Sequence, residues 1–281
     1  MSLTLRAPRA PRARRARSTR DSVIGVILLV IMLFPVYWMV NLSVQSSGSN
    51  LATGLFPTEI HLDGYRAALA DQSRNLATSM IVSISSVALT LAIAVPAAYA
   101  LAQFRLRGLN VILLILAVTQ MIPGIVVANS LYGAYNDLGL LNTIVGLVAA
   151  DASHSIPFAI LLIRTAMQGV PPAVLEAARL DGAGLFRTFR SIAVPLARNG
   201  IITASLFSFL FTWGDFLFAL TLTTTDDLRP VTLGIYTYLG ADQTDWSAVM
   251  ATSVLASLPA IVLLLVAQRF IAAGASGGAV K

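Results

Sequence analysis

The sequence predicts an all-α polytopic membrane protein with six transmembrane helices and a short cytoplasmic helix between spans four and five. Hydrophobic residues make up 57% of the 281 residues and charged residues only 11%, a composition typical of integral membrane proteins. Six apolar stretches also have about the twenty residues that a bilayer requires. They lie near residues 22–44, 76–102, 108–131, 142–164, 198–222 and 249–271.

Basic residues are concentrated in alternate connectors of these six stretches. Seven arginines precede the first stretch and others follow stretches two, four and six, whereas the remaining connectors are mainly acidic. By the positive-inside rule, both termini and the loop after stretch four are cytoplasmic. We therefore predict a disordered basic cytoplasmic tail at 1–21, a six-span domain at 22–271 with a coupling loop at about 165–197, and a cytoplasmic C-terminal tail at 272–281.

Several function classes are excluded by residue types that are rare in the chain. No cysteine occurs, which excludes disulfides and thiolate metal sites, and only His61 and His154 could offer an imidazole. The single lysine is Lys281, so a G-x-x-x-x-G-K-[ST] phosphate loop cannot exist here. The net charge is +6, but the basic residues are not interleaved with aromatic residues as they are in a nucleic-acid-binding surface. We expect no metal, nucleic acid or cofactor on this chain.

The N-terminal arginine run raises the alternative of a signal peptide. No convincing small-x-small cleavage site precedes Gln45, which favours an uncleaved first span. Prolines inside five of the apolar stretches, and Pro195 just ahead of the remaining one, predict kinks that neighbouring helices must stabilise.

The most informative motif lies in the polar loop after the fourth stretch. It reads Glu176-Ala177-Ala178-Arg179-Leu180-Asp181-Gly182-Ala183 and is followed by Phe189 and Pro195. Pro171 and Pro172 suit a first helical turn and Asp181-Gly182 suits its end, so a short helix is predicted. The small alanine side chains leave its backbone open to a groove on another protein, with Leu175 and Leu180 as apolar contacts. An ordinary amphipathic turn is the alternative interpretation.

A second group of candidate residues lies inside the apolar stretches. Asp151 and His154 are three residues apart on one helical face of stretch four, and Asp215 lies in stretch five between Trp213 and Phe216. Ionisable groups in a span favour the bundle interior or a polar pathway. One hypothesis is that these five residues line the route of a polar solute, the aromatic rings packing against a sugar. The alternative is that Asp215 bonds to a neighbouring helix while Asp151 and His154 lie near the outer water interface.

The motif at residues 176–183 resembles the Glu-Ala-Ala loop by which ABC importer permeases couple to their ATPase. Further motifs resemble the maltose-type second permease of binding-protein-dependent carbohydrate importers. These motifs are 120–123, 138–143, 156–160, 213–220, 268–270 and 277–281. Two departures are visible. Gly214 and Asp215 replace the family's Asn and Glu, and Arg198-Asn199-Gly200 occupies the stretch where the family commonly has a second proline.

This resemblance implies a working unit of two homologous permeases, an ABC ATPase dimer that binds ATP and Mg, and an extracytoplasmic solute-binding protein, in a bacterial plasma (inner) membrane. This chain would be half of the pore and would not itself be catalytic. Glu176, Ala177, Ala178, Asp181, Gly182, Ala183, Phe189 and Pro195 would couple it to the ATPase. The C-terminal tail would reach the ATPase interface. The outer loop at 223–247, with Tyr236, Tyr238 and Trp246, would meet the solute-binding protein, although membrane anchoring is the commoner role of such a tryptophan.

Two further function classes are weighed against an ATP-driven importer of a sugar or oligosaccharide. In a proton-coupled secondary transporter, Asp151, His154 and Asp215 would relay protons. Such a carrier has no use for a cytoplasmic docking helix, and no inverted repeat is apparent. An intramembrane enzyme would need a paired nucleophile and base or a metal cluster, for which one histidine beside one aspartate is too little.

Overall fold

The computed structural model describes residues 13–46, 55–57, 59–239 and 244–276 of the chain. Within these ranges the secondary structure is helical, apart from an isolated antiparallel bridge between Leu239 and Thr244. The helices, in chain order, are α1 Ala13–Ser43, α2 Asp63–Gln103, α3 Leu109–Thr119, α4 Gly124–Leu138, α5 Ile144–Gln168, α6 Pro172–Leu180, α7 Leu185–Thr188, α8 Val194–Leu196, α9 Arg198–Trp213, α10 Leu217–Leu222, α11 Val231–Gly234 and α12 Trp246–Ser276. A π-helical turn, Phe189–Ala193, joins α7 to α8, and a 3₁₀ turn, Ile235–Tyr238, follows α11.

Four of the described helices are long and apolar enough to cross a membrane alone. They are α1 from Arg20 onward, α2, α5, and α12 as far as Gln268. Two bent pairs pass the same test together: α3 with α4, bent by 92°, and Leu185–Leu196 with α9, bent by 76°. The described residues therefore give four crossings, or up to six if each bent pair counts as one span.

The third and fifth predicted spans are not continuous helices. The stretch 108–131 is interrupted between α3 and α4, where Pro123 occupies the N-cap position of α4. Proline has no N–H to donate to the preceding turn and disfavours a helical residue before it, so α3 cannot continue through it. The stretch 198–222 is likewise two helices, because α9 ends at Trp213 and α10 begins only at Leu217. The sequence predicted a kink at Pro123, where the structure has a full break, and it predicted no break after Trp213.

The long helices also extend beyond the predicted domain boundaries. α1 begins at Ala13, inside the predicted disordered tail at 1–21, and α12 continues to Ser276, inside the predicted tail at 272–281. α2 begins at Asp63, well before the predicted start at residue 76. Alanine and arginine are strong helix formers, so a polar extension of an apolar span remains helical. Residues 1–12 and 277–281 lie outside the described residues.

α2 is the central helix of the bundle and packs against α5, α9 and α12, whereas α1 packs against α12. Small residues make these approaches close, since Ala94 and Ala98 of α2 and Ala159 of α5 are completely buried. At Gly200 of α9, a Cβ atom would lie 2.2 Å from the Cβ of Ala166, so only glycine fits against α5 there. Large apolar side chains cover much of the outer surface, as expected for a protein whose solvent is lipid.

Candidate functional site

The coupling loop contains the short helix that its sequence predicts. α6 spans Pro172–Leu180, with Pro171 at the N-cap position and Asp181 at the C-cap position. The N–H of Gly182 donates to the carbonyl of Arg179 at 3.0 Å, and the N–H of Ala183 donates to that of Ala178 at 2.9 Å. This pair of hydrogen bonds is a Schellman motif. It requires the left-handed conformation that Gly182 adopts, with φ of +83°.

The two faces of α6 have different environments. Leu175 and Ala178 are buried, being 3% and 8% exposed. Glu176, Ala177, Leu180, Asp181 and Gly182 are exposed, and we call this set the coupling surface. Leu175 was predicted to contact a partner, but it lies three residues before Ala178 on the inward face and packs into the core instead. The small side chain of Ala178 also faces inward and serves packing within the chain.

The coupling surface extends into the next turns of the chain. Leu180 is 89% exposed, and Leu185 and Phe186 of α7 are 60% and 70% exposed. Apolar side chains exposed together in a polar loop indicate a contact surface for another protein. Of the remaining predicted coupling residues, Ala183 and Phe189 are half-buried and Pro195 is exposed.

The base of the coupling loop is fixed to the ends of α2 and α5. The ring of Phe189 packs against that of buried Tyr99, with 5.1 Å between centroids. Leu175 belongs to the same apolar cluster as Tyr99 and Met167. Gln103 Nε2 donates to the carbonyl of Met167 at 2.8 Å, which joins the two helix ends. Packed side chains therefore join α6 to the ends of both α2 and α5.

A second candidate site lies where α5 faces the break between α9 and α10. A cavity of about 290 Å³ is lined there by eleven residues, including Asp151, His154, Ser155, Thr212, Asp215 and Phe216. We call it the acidic cavity, because its described lining holds two carboxylates and neither lysine nor arginine. Its volume is at the lower end of the range of about 300–1,000 Å³ for small-molecule pockets. Four of the five residues predicted for a solute pathway are thus brought together.

The two aspartates of the acidic cavity have different local roles. Asp215 lies in the break and accepts hydrogen bonds from the N–H groups of Phe218 at 3.3 Å and Ala219 at 3.0 Å. It therefore caps the first turn of α10, where exposed N–H groups favour a negative charge. Asp151 is only 5% exposed and projects from α5 into the lining of the same cavity. No hydrogen bond to the Asp151 carboxylate is formed within the described part of the chain.

His154 and the aromatic residues frame the same space. The His154 ring is edge-on to Phe211 at 6.2 Å and to Phe218 at 6.3 Å between centroids. Its backbone carbonyl accepts a hydrogen bond from Gln120 Nε2 at 3.2 Å, which ties the break between α3 and α4 to α5. Phe216 stacks on Tyr236 of the outer loop with 5.2 Å between centroids. Both breaks therefore meet at the acidic cavity.

Trp213, the fifth predicted pathway residue, does not line the acidic cavity. It is 7% exposed and stacks on Phe209 with 5.5 Å between ring centroids. Its Nε1–H donates to the carbonyl of Ala256 at 2.9 Å, three residues before Pro259 of α12. The indole thus packs against α12 one turn before Pro259 and away from the cavity.

Sequence reasoning missed two hydroxyls of the acidic cavity. Ser155 and Thr212 are 1% and 7% exposed, and neither side-chain oxygen has a hydrogen-bond partner in the described structure. A signal for Ser155 was present, because it follows Asp151 by four residues and so shares its helical face. Thr212 carries no such signal, since its orientation depends on where α9 ends.

Part of the outer loop is buried against α2. Val231 of α11 is 1% exposed and its N–H donates to Ser79 Oγ at 2.8 Å. Tyr238 donates from its hydroxyl to Asp71 Oδ2 at 3.3 Å. Burial raises the pKa of the Tyr238 phenol, which keeps it protonated as the donor of this bond. Tyr236 is exposed and Trp246 is half-buried. Residues 240–243 of this loop lie outside the described residues.

Comparison with protein families decides which kind of protein carries this arrangement. Residues 91–276, from the second half of α2 to the end of α12, match the family described as binding-protein-dependent transport system inner membrane component. The chain belongs to this family. It is therefore a multi-pass inner-membrane permease, as the sequence motifs predicted. The matched residues include both the coupling loop and the residues that line the acidic cavity.

Individual relatives match over nearly the whole chain. A probable ABC transporter permease protein, y4oR, of Sinorhizobium fredii is 34% identical over 259 residues, covering 90% of this chain and 92% of the relative. The trehalose transport system permease protein SugB of Mycobacterium tuberculosis is 29% identical, covering 89% of this chain and 92% of the relative. A bacterial ABC transporter that imports the acidic polysaccharide alginate contains a chain of the same fold, with a TM-score of 0.79 and 24% identity over 94% of this chain and 99% of that chain.

Proposed function

We propose that this chain is one of two permease subunits of an ATP-driven importer for a sugar or sugar derivative, and that it binds the ATPase through the coupling surface. The partners are a second, homologous permease, an ABC ATPase dimer that supplies ATP and Mg chemistry, and an extracytoplasmic solute-binding protein. Relatives named for trehalose and diacetylchitobiose transport support the sugar class. The one observation that carries the ATPase contact is the exposed face of α6 on a loop whose inner face is fixed to α2 and α5.

The membrane orientation is part of this proposal. Arg179, Arg187 and Arg190 lie in and beside the coupling loop, whereas Asp137, Asp226 and Asp227 lie in connectors of the opposite side. Arginine-rich connectors remain in the cytoplasm. With both termini on that side, the coupling surface faces the compartment that contains ATP.

In this mechanism the ATPase dimer moves α6 when it closes on ATP. Because Leu175 and Phe189 pack against the ends of α2 and α5, that motion passes into the helices that carry Asp151 and the rest of the cavity wall. This mechanism requires two packings of the helix bundle that are similar in energy. The prolines inside the long helices and the two helix breaks are the places where the bundle can bend. Glu176 and Asp181 supply exposed negative charge for basic groups on the ATPase.

The test is Glu176→Arg, which replaces a carboxylate at the centre of the coupling surface by a cation. Like-charge contacts at an interface cost several kcal/mol, and each 1.4 kcal/mol is about tenfold in affinity. We expect the amount of ATPase that co-purifies with the chain to fall at least about tenfold. Gly182→Arg should have the same effect, because a side chain at a φ of +83° strains the Schellman turn.

Glu59→Arg is the matched control, since Glu59 is an exposed glutamate on the opposite side of the membrane in this proposal. It should leave ATPase co-purification at the wild-type level. If Glu176→Arg retains both the ATPase and solute uptake, the proposed ATPase contact is wrong.

Proton-coupled transport remains a distinct mechanism with its own measurement. Membership of the binding-protein-dependent family favours ATP as the energy source. Uptake that a proton uncoupler abolishes while ATP is held constant would favour proton coupling through Asp151, His154 and Asp215.

A further inference from the structure

The acidic cavity contains more hydrogen-bonding capacity than the described part of the chain satisfies. The hydroxyl oxygens of Ser155 and Thr212 are buried without a partner. The Asp151 carboxylate, 5% exposed, receives no hydrogen bond within the described part of the chain. Buried polar groups in proteins are nearly always paired, so three unpaired groups around one cavity indicate an occupant that provides donors.

The charge of the acidic cavity restricts what that occupant can be. Asp215 accepts hydrogen bonds from the N–H groups of Phe218 and Ala219. The second carboxylate, Asp151, faces the same space, and His154 is the one basic side chain in the described lining. The lining therefore has two acidic side chains against one imidazole, and an occupant that carries a positive charge balances this excess. The cavity disfavours a solute that carries a carboxylate.

We propose, building on the function above, that the acidic cavity binds a protonated amino group of the transported solute, so that the substrate class is an amino sugar. An ammonium group has three N–H donors and one positive charge. It can donate to the carboxylate of Asp151, and the unpaired hydroxyls of Ser155 and Thr212 belong to the same lining. The phenyl rings of Phe211 and Phe216 line the same cavity and provide apolar faces for the ring of the sugar.

The inference is tested by direct binding to the complete importer, with permease pair and ATPase assembled in detergent and no solute-binding protein added. Three labelled probes of one ring size are compared at neutral pH: glucosamine, glucose and glucuronate. Glucosamine should bind at least about tenfold more tightly than glucose, since hydrogen bonds to charged groups are the stronger class. Glucuronate should bind more weakly than either.

Asp151→Asn removes the unpaired charge while keeping the shape of the side chain. It should bring the affinity for glucosamine to within about twofold of that for glucose. Asp137→Asn is the control, because Asp137 is an exposed aspartate at the end of α4 and outside the cavity. It should keep the full preference for glucosamine.

Each outcome decides the inference. Glucosamine binding no more tightly than glucose, including failure of all three probes to bind, overturns it. So does a preference that survives Asp151→Asn, because the amine would then be recognised elsewhere, such as on the second permease. If the assembled importer takes up a neutral sugar with ATP while showing no amine preference, the inference fails and the proposed function stands. If the chain does not assemble with an ATPase, both fail.

Discussion

The coupling loop and the acidic cavity differ in how far apart their residues lie along the chain. The coupling loop is a continuous segment whose helix, cap and turn are formed by neighbours in sequence, from Pro171 to Ala183. The acidic cavity is assembled from α5 and from the break between α9 and α10. A continuous segment can present a surface to a partner by itself. A cavity formed by several helices changes shape whenever those helices move. This division suits a protein that receives motion at one end and alters solute access at the other.

The two regions also differ in how their polar groups are satisfied. In the coupling loop the carbonyls at the end of α6 are paired with the N–H groups of Gly182 and Ala183. In the acidic cavity, Ser155 and Thr212 keep unpaired hydroxyls. The end of α6 is thus paired within the chain, whereas two hydroxyls of the acidic cavity are not.

The largest effect that separates the two regions is expected from Phe189→Ala. Phe189 packs on Tyr99 at the base of the loop and is not part of the coupling surface. Large-to-small core changes cost about 2–5 kcal/mol, and a half-buried ring lies at the lower end. We expect the ATPase to co-purify at the wild-type level while ATP-driven uptake falls about tenfold, because binding is kept and transmission is lost.

Phe186→Ala is the matched comparison, since Phe186 lies three residues earlier in the same loop and is 70% exposed. It should reduce ATPase co-purification instead. Equal loss of the ATPase in both variants would show that the inner and outer sides of the loop do not have separate roles.

A smaller effect should distinguish the two aspartates of the acidic cavity. Asp215→Asn removes one of the two oxygens that accept the N–H groups of Phe218 and Ala219. Loss of such a cap costs about 1 kcal/mol. Asp151→Asn replaces a buried carboxyl group that receives no hydrogen bond from the described residues, so stability should stay equal or rise.

The measurement is the thermal unfolding midpoint of the purified complex, which shifts by about 2–4 °C per kcal/mol for a chain of this size class. Asp215→Asn should lower the midpoint and Asp151→Asn should not. A lower midpoint for Asp151→Asn would mean that its carboxylate is stabilised by the protein, which would contradict its availability to a solute.

How well the sequence predicted each element depends on how far apart along the chain its interacting residues lie. α6 was predicted because Pro171, Pro172 and Gly182 act on their own neighbours. A kink at Pro123 was predicted because proline lacks an N–H, but the sequence did not show that the bend between α3 and α4 would reach 92°. Asp151 and His154 were found because ionisable groups are rare in spans. Ser155 and Thr212 are ordinary residues of an apolar helix until the fold encloses them.

The orientation of Trp213 was the hardest feature to predict, since the polar residues of α9, such as Thr203, Ser205 and Ser208, are spread around the helix and do not mark which face meets the cavity. Only the position of the break, where Gly214 ends α9, directs Asp215 and Phe216 to the cavity and leaves Trp213 on the opposite side. A helix without one clearly polar face is oriented by its tertiary contacts.

Trp213→Phe tests that orientation and has the smallest expected effect. It removes the hydrogen bond to the carbonyl of Ala256 beside the Pro259 kink but keeps an aromatic ring against Phe209. The loss should be about 1 kcal/mol of stability, with relative binding of glucosamine and glucose unchanged. Phe216→Leu is the comparison, because Phe216 lines the cavity and its replacement should weaken binding of both probes. A changed ratio of the two affinities in Trp213→Phe would place the indole in the solute pathway after all.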